Sequence, residues 1–258
     1  MSDTMSEPQV KNERVEEHWA PPMSTLKARE VPSGATNINV EGKQVVSPMQ
    51  GFGQLWEKKF RVRMVGCKLT PAEVVKIWKA NFTKFQPNYN RFHPTREGVT
   101  PGEVMFIDSA VPVVPGTPGL LPITTGVMVL YADDSSFTVI TPEGHPESGW
   151  NTFSAYEQDG VTVAQIQTLT RATDPIYEFG YRFMGGAQMQ DEIWTHVIRQ
   201  LAKACGVQAE VESEKTLVDG SLQWDAAGNI WENAVFHTIF YRLGAPLRWA
   251  RNRLKGSR

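Results

Sequence analysis

The sequence predicts an α+β domain in which helices cover one side of an antiparallel sheet. Three observations lead to this class: short segments of alternating polarity between turn residues, one helix with clear N-terminal signals, and one long amphipathic segment after the last strand. The connections between the alternating segments are too short for the crossovers that parallel strands require. We therefore expect the strands to form an antiparallel meander.

The first strand and the first helix are both well marked. From Leu55 onward, apolar and charged residues alternate, which is typical of a half-buried strand. Thr70 can cap a helix whose first residue is Pro71, and Glu73 completes a capping box. Apolar residues then recur at three- and four-residue steps until Gln86-Pro87, where we expect the helix to end.

Later strands are expected wherever alternating segments lie between turn signals. Prolines and glycines between residues 88 and 125 leave room for one strand and a long loop. The expected strands are 103–110, 126–131, 136–141, 150–157 and 161–171. A long helix should follow over residues 187–205, because its apolar residues form a continuous stripe and Gly206 is placed to end it.

The segment Thr141–Trp150 lies between two expected strands and is rich in functional groups. Its sequence, Thr-Pro-Glu-Gly-His-Pro-Glu-Ser-Gly-Trp, combines two glycines and two prolines with a histidine and two carboxylates. The glycines and prolines predict a rigid hairpin loop in which His145 bonds locally. His145 beside Glu143 and Glu147 is also a candidate acid/base group, because neighbouring carboxylates move a histidine pKa into the useful range.

Composition limits the function classes. The chain has 258 residues, of which 41% are hydrophobic, and a formal net charge of -2, so it can form a sizeable core but has no basic excess for nucleic acid. We expect no nucleic-acid partner. Two distant cysteines, together with an N-terminus unlike a signal peptide, favour a cytoplasmic protein. The five histidines lack short metal-ligand spacing and there is no phosphate-binding or dinucleotide fingerprint, so we expect neither a metal nor a cofactor.

Three regions are expected along the chain. Residues 1–48 are rich in Glu, Ser, Pro, Asn and Gln, and they should form a poorly ordered arm. Residues 49–206 should form the folded domain, and residues 207–258 should form a C-terminal extension that contains a basic amphipathic helix.

The end of the extension is strongly basic. From Asn233 onward there are six lysine or arginine residues and no acidic residue. Apolar residues accompany Arg248, Arg251 and Lys255, a pattern that suits an anionic membrane surface or a partner protein. Alternatively, the first part of the extension packs on the domain and its last residues are solvated.

The order of elements over about residues 50–206 resembles the helix-grip fold of the START and SRPBCC superfamily. In that fold a strongly curved antiparallel sheet wraps a long C-terminal helix and leaves an apolar cavity between them. The segment Gly144–Gly149, Gly-His-Pro-Glu-Ser-Gly, is also similar to the hallmark of an uncharacterised bacterial and plant family of unknown function. The arm and the basic extension lie outside this resemblance.

The resemblance implies that an internal cavity is the binding site. Such cavities are lined by aromatic and aliphatic side chains with a few polar groups. The apolar candidates for this lining are Trp56, Phe60, Phe106, Met128, Phe137, Phe153, Tyr156 and Trp194. The polar candidates at the cavity mouth are Arg91, His145 and Glu147. Alternatively, the apolar side chains fill one another's space and Arg91 forms a surface salt bridge.

Three functions remain open from the sequence. The first is non-catalytic binding or carriage of a hydrophobic small molecule or lipid in the cavity. The second is an SRPBCC-type enzyme that acts on an aromatic or polyketide-like substrate, with His145, Glu147 or Arg91 near the reacting atom. The third is an interaction module without a ligand, whose basic tail binds a membrane or a partner.

Overall fold

The computed structural model describes residues 16–111, 121–246 and 248, and the structural statements below concern these residues. They contain a curved sheet of eight antiparallel strands in the order β2-β3-β4-β5-β6-β7-β1-β8. The strands are β1 Leu55–Arg63, β2 Asn90–Phe92, β3 Val104–Val111, β4 Leu121–Ala132, β5 Ser136–Ile140, β6 Glu147–Gln158, β7 Val161–Ala172 and β8 Glu212–Asp219.

Four α-helices accompany the sheet: α1 Pro71–Asn81, α2 Pro175–Phe183, α3 Gly186–Ala204 and α4 Ala234–Leu243. Three short 3-10 helices cover Glu16–His18, Pro48–Gln50 and Trp224–Glu232. The long helix α3 packs on β1 and β7, and α1 packs on β6. We call the sheet face under α1 and α3 the inner face, and the opposite one the outer face. This arrangement is the helix-grip fold.

The start of α1 confirms the predicted capping box. The Thr70 hydroxyl accepts a hydrogen bond from the Glu73 backbone N–H, and the Thr70 N–H donates to the Glu73 carboxylate at 2.8 Å. The helix ends at Asn81, five residues earlier than expected. Residues 82–85 continue as turns. The apolar periodicity extends past the helix because Phe82 and Phe85 remain buried in these turns.

Several elements differ from the predictions. β4 begins at Leu121 and β6 begins at Glu147. Residues 147–149, which we expected in the hairpin loop, therefore already pair with β7. Helix α2 was not predicted, although Asp174 and Pro175 form an N-cap and first-residue pair. β8 lies beyond the predicted domain limit at residue 206 and pairs with β1 along the sheet edge.

Residues 16–48 also correct an expectation. We expected a poorly ordered arm, but Leu26 and Val40 are fully buried and pack on the outer face with Phe106 and Met128. The few apolar residues of this segment therefore cover the apolar side chains of β3 and β4. Residues 1–15 lie outside the described residues.

The inner face contains an aromatic cluster formed by Trp78, Phe82, Phe137, Phe153 and Trp194. The rings of Phe137 and Phe153 are stacked with centroids 4.7 Å apart. Trp78, Phe82 and Trp194 contact Phe153 edge-on at 5.4, 5.0 and 5.8 Å. This cluster joins α1 and α3 to β5 and β6, so it connects both inner helices to the middle of the sheet.

We predict that Phe153→Ala lowers the free energy of unfolding by about 3–5 kcal/mol, because the cavity it creates lies among side chains from four elements. Tyr156→Ala is a matched control, since Tyr156 is only partly buried on the same strand. Its loss should be clearly smaller. Urea denaturation would measure both values, and equal losses would contradict the central role of Phe153.

Candidate functional site

A cavity of about 870 Å³ lies between the sheet and helices α2, α3 and α4. Strands β3 and β4 contribute Ile107, Ile123, Thr125 and Val127 to its wall, and α3 contributes Ile193. The wall is mostly apolar, as expected for a small-molecule site. The described residues therefore contain both a packed half of the inner face, at the aromatic cluster, and a hollow half.

Helices α2 and α4 border the mouth of the cavity. Ile176 and Phe179 of α2, and Phe236 of α4, line the cavity and are also exposed to solvent. The two helices begin close together because their N-cap residues are bonded: Asn233 Nδ2 donates to Asp174 Oδ2 at 2.7 Å.

The same two side chains cap the helices. The Asp174 carboxylate accepts from the backbone N–H groups of Ile176 and Tyr177 at 2.8 and 2.9 Å. The Asn233 side-chain oxygen accepts from the N–H of Val235 at 3.0 Å. Asp174 and Asn233 are both fully buried, so the bond between these two caps is a buried polar contact at the mouth of the cavity.

The hairpin between β5 and β6 is tied to the start of α4. The Ala234 N–H donates to the Gly144 carbonyl at 3.0 Å. Gly144 has φ +79, and a Cβ atom there would lie 2.0 Å from the Glu232 carbonyl oxygen. Only glycine fits this turn, because of both its backbone conformation and the closeness of the C-terminal segment.

His145 lines the cavity, and its local hydrogen bonding confirms the turn interpretation. Its Nδ1 accepts from the Glu147 N–H at 3.0 Å. Burial lowers the pKa of His145 to about 4, so the ring is neutral near pH 7. The same Nδ1 also lies 3.1 Å from the Glu147 carbonyl oxygen, so both of its contacts are local.

Glu147 is the buried acid of the cavity wall. It accepts hydrogen bonds from Gln190 Nε2 of α3, from Tyr181 of α2, and from Thr170 Oγ1 at 3.4 Å. Burial raises its pKa to about 6, against the opposing effect of the Lys58 charge and these bonds. Glu147 therefore changes protonation state near neutral pH inside a mostly apolar cavity.

A polar network continues from Glu147 toward the sheet edge. Lys58 is buried, donates to the Gln190 side-chain oxygen, and forms an ion pair with Asp191 at 2.8 Å. Asp191 also pairs with Lys215 of β8. The buried Lys58 ammonium therefore has both a hydrogen-bond acceptor and an opposite charge, which a buried ammonium requires.

The other predicted lining residues lie elsewhere. Phe106 and Met128 are on the outer face, packed against residues 16–48. Phe60, Phe137 and Phe153 are on the inner face but belong to its packed core. Of the eight apolar candidates, only Trp194 lies in the cavity wall among the described residues.

The remaining candidates are more exposed. Trp56 is partly buried on β1, and Tyr156 is partly buried on β6 next to Ala155 of the inner face. Arg91 is exposed on β2, whereas its neighbours Asn90 and Phe92 line the cavity. Arg248 lies against the Tyr241 ring at 3.7 Å, while Arg251 and Lys255 lie outside the described residues.

Strand alternation explains which lining residues the sequence analysis missed. Ile107 and Val127 line the cavity, and each is the direct neighbour of a residue that we predicted to line it. Successive side chains of a strand point to opposite faces of the sheet. Our prediction took the bulkier residue of each neighbouring pair and did not follow this alternation, so it selected residues of the outer face.

The part of the chain that the structure describes has neither a membrane-spanning helix nor a cluster of metal-ligating side chains. No described helix is long and apolar enough to cross a bilayer. Within the same residues, no group of three or more histidine, cysteine, aspartate or glutamate side chains is placed to hold a metal ion.

No family model and no curated protein matches the chain. The similarity of Gly144–Gly149 to an uncharacterised family therefore stays a prediction. Among solved structures, the KanY protein matches with a TM-score of 0.42 at 14% identity, over 60% of this chain and 99% of that one. Protein Ms6760 from Mycobacterium smegmatis matches with a TM-score of 0.38 at 16% identity, over 58% and 90% of the two chains.

The di-domain ARO/CYC StfQ from the steffimycin biosynthetic pathway matches with a TM-score of 0.42 at 8% identity. This match covers 58% of the present chain and 50% of StfQ, so it spans about half of that protein. The sheet order and the position of α3 are those of the helix-grip fold, as the sequence predicts.

Proposed function

We propose that the chain binds and carries a hydrophobic small molecule or lipid in the cavity. The observation that carries the proposal is the cavity itself, with its volume of about 870 Å³ and mostly apolar wall. Small-molecule sites commonly measure about 300–1,000 Å³. Closely packed cores contain few voids larger than a water molecule, so this volume disfavours a ligand-free interaction module. We also propose that the protein is cytoplasmic, as the sequence analysis predicts.

The apolar wall is sufficient to account for useful affinity. Burial of about 400 Å² of apolar ligand surface contributes about 10 kcal/mol before the costs of association. An association cost of about 4 kcal/mol leaves about 6 kcal/mol, which corresponds to a dissociation constant of roughly tens of micromolar. We therefore expect the purified protein to retain an apolar molecule or to bind one that is added.

We predict that the neutral fluorescent probe N-phenyl-1-naphthylamine binds and that Val139→Trp weakens its binding at least about tenfold, because the larger side chain occupies the cavity. Val139 lines the cavity on β5, whereas the adjacent Thr138 bonds to Thr152 and does not line it. Thr138→Trp is therefore the matched control and should leave the affinity unchanged. A fluorescence titration would measure both.

Two checks make the result decisive. Thermal unfolding identifies variants that remain folded, and Ala110→Trp provides a second substitution in the cavity wall at a partly buried position. Native mass spectrometry with extracted lipids would detect molecules retained during purification. Equal binding by the wild type and by both folded cavity variants would mean that the probe binds elsewhere, and the carrier proposal would fail.

A membrane is the proposed source of the ligand, and the exposed side chains around the mouth support this. Phe183 lies one helical turn beyond Phe179 on α2, and Phe240 lies one turn beyond Phe236 on α4. Phe183 and Phe240 are 68% and 71% exposed. We call these four phenylalanines the apolar rim. The basic sequence after α4 supplies the charge that favours an anionic lipid surface.

We predict that the full chain sediments with vesicles of mixed phosphatidylcholine and phosphatidylserine, and that Phe183→Ser/Phe240→Ser reduces this binding several-fold. Leu217→Ser is the matched control, because Leu217 is an exposed apolar residue of the edge strand β8. Added salt should weaken the binding, since charge contributes to it. Undiminished binding by the rim variant would exclude the rim as the contact surface.

Glu147 favours a second candidate function, an enzyme that uses it as an acid or base. A catalytic carboxyl is most effective when its pKa lies near the working pH, and burial brings the pKa of Glu147 to about 6. His145 lies in the same wall and exposes a neutral ring. Substrate turnover that disappears in Glu147→Gln, with ligand binding retained, would favour this function over carriage.

The raised pKa of Glu147 also predicts a pH effect on stability. A rise in pKa from 4.5 to about 6 corresponds to about 2 kcal/mol, which stabilises the folded state below pH 4.5 and is lost as the pH rises through about 6. Because Glu147→Gln cannot ionise, its stability relative to the wild type should increase by up to about 2 kcal/mol between pH 4.5 and 7.5.

Urea denaturation across this pH range would measure the effect. Glu157→Gln, at the exposed end of the same strand, controls for the removal of a carboxylate. A constant difference between Glu147→Gln and the wild type would show that the burial of Glu147 does not raise its pKa.

A further inference from the structure

The side-chain charges in the cavity wall are negative. Among the residues that the structure describes, the wall contains the carboxylates of Glu147 and Glu192 and neither lysine nor arginine. Glu147 is buried, and Glu192 lies in the exposed part of the wall on α3. Burial raises the pKa of Glu147 to about 6, so its carboxylate is ionised at pH 7.5. An occupant of the cavity therefore meets negative charge without a compensating side-chain cation in the described wall.

Three tyrosines of the wall respond to this negative charge. In each of them, burial is the first cause of a raised pKa and the charge of a carboxylate is the second. The pairs of tyrosine and carboxylate are Tyr89 with Glu192, Tyr177 with Asp174, and Tyr181 with Glu147. A phenolate in this wall is thus disfavoured for two reasons, and the carboxylate of a ligand would be disfavoured there for the same two.

The positive charges near the wall are either paired or weaker. Lys58 of β1 acts on Glu147, but its ammonium forms an ion pair with Asp191 at 2.8 Å and does not line the cavity. The N-terminus of α3 meets the cavity at Gly185 and Gly186, and a helix N-terminus carries only about half a positive charge. The full negative charge of Glu147 therefore outweighs them.

The charge of Glu147 acts on an occupant without direct contact. The described donors to its carboxylate, Gln190, Tyr181 and Thr170, are neutral groups, so they hold the carboxylate in place and do not cancel its charge. Buried charges are screened much less by solvent than exposed ones. The field of Glu147 therefore extends across the mostly apolar cavity.

We propose that the cavity selects apolar ligands by charge, so that it accepts a molecule that carries an amine and excludes one that carries a carboxylate. A protonated amine is attracted to Glu147, whereas a carboxylate would bring a second negative charge into the same cavity. Glu147 is the residue that determines this preference. The proposal rests on the carrier function proposed above and specifies the class of ligand.

Three ligands of one chain length test the preference. At pH 7.5 dodecylamine is cationic, dodecanol is neutral and dodecanoate is anionic. Displacement of N-phenyl-1-naphthylamine from the full chain, with each ligand below its micelle-forming concentration, would measure the three affinities by fluorescence. The wild type should bind dodecylamine at least about tenfold more tightly than dodecanoate. Both of these ligands lose the hydration of a charge on binding, so the sign of the charge makes the difference.

Glu147→Gln should remove most of this preference, because it removes the charge and keeps the shape of the side chain. The ratio of amine to carboxylate affinity should fall at least about fivefold, while the affinity for dodecanol should stay within about twofold of the wild-type value. Glu157→Gln is the matched control, since Glu157 lies at the exposed end of the same strand, and it should keep the wild-type ratio. Thermal unfolding would show that both variants are folded.

The wild type provides a second test that needs no substitution. Lowering the pH from 7.5 to 5 protonates Glu147, whose pKa is about 6, while dodecylamine remains cationic. Dodecylamine should therefore bind several-fold more weakly at pH 5, and dodecanol should bind equally at both pH values. Glu147→Gln should abolish this pH effect, which separates Glu147 from the other groups around it. These groups are His145 of the hairpin, Lys58 of β1, Thr170 of β7, Tyr181 of α2, and Gln190 and Asp191 of α3.

The outcomes separate this inference from the carrier function. If the wild type binds dodecanoate as tightly as dodecylamine, or if Glu147→Gln keeps the wild-type preference, selection by Glu147 is wrong. An amine affinity that does not change between pH 7.5 and 5 would contradict it in the same way. In each of these cases displacement of the probe by dodecanol leaves the carrier function standing. If none of the three ligands displaces the probe, the carrier function fails as well.

Discussion

The stacking of Phe137 on Phe153 is the contact on which the rest of the domain depends. It lies at the middle of the sheet, and α1 and α3 reach it through Trp78, Phe82 and Trp194. Aromatic side chains bury large areas with specific edge-to-face geometry, so this cluster fixes both inner helices on one half of the inner face. Because both helices are fixed there, the half of the inner face toward α2 and α4 is not closely packed. The cavity forms in that second half.

A second, polar constraint sets the shape of the other half. The contact between Asp174 and Asn233 joins the N-termini of α2 and α4, which are about sixty residues apart in the sequence but close in space. Each of the two side chains also accepts a hydrogen bond from a backbone N–H group at the start of its own helix. Both helices start at this buried contact, and both carry exposed phenylalanines. The mouth of the cavity therefore has a buried polar contact at the start of both helices and an apolar border along them.

Much of the fold could be predicted because its periodicities are local. The capping box of Thr70, the alternating strands and the stripe of α3 each follow from a short stretch of sequence. β8 lacked such a signal, since an edge strand exposed along most of its length has no buried face to make its sequence alternate. His145 and Glu147 were found as cavity residues because turn chemistry located them. Thr125 and Asn151 were not, because a polar residue inside a strand carries no local signal that it lines a cavity.

The turn at Gly144 has a consequence for how the chain tolerates change. Hairpin turns at a protein surface usually accept inserted residues, because little else contacts them. Here the Gly144 carbonyl accepts from Ala234, and the Glu232 backbone occupies the space beside its α-carbon. An added peptide or a label in this turn would push against the segment that leads into α4. Insertions in this turn should therefore be poorly tolerated, although its sequence is typical of a loop.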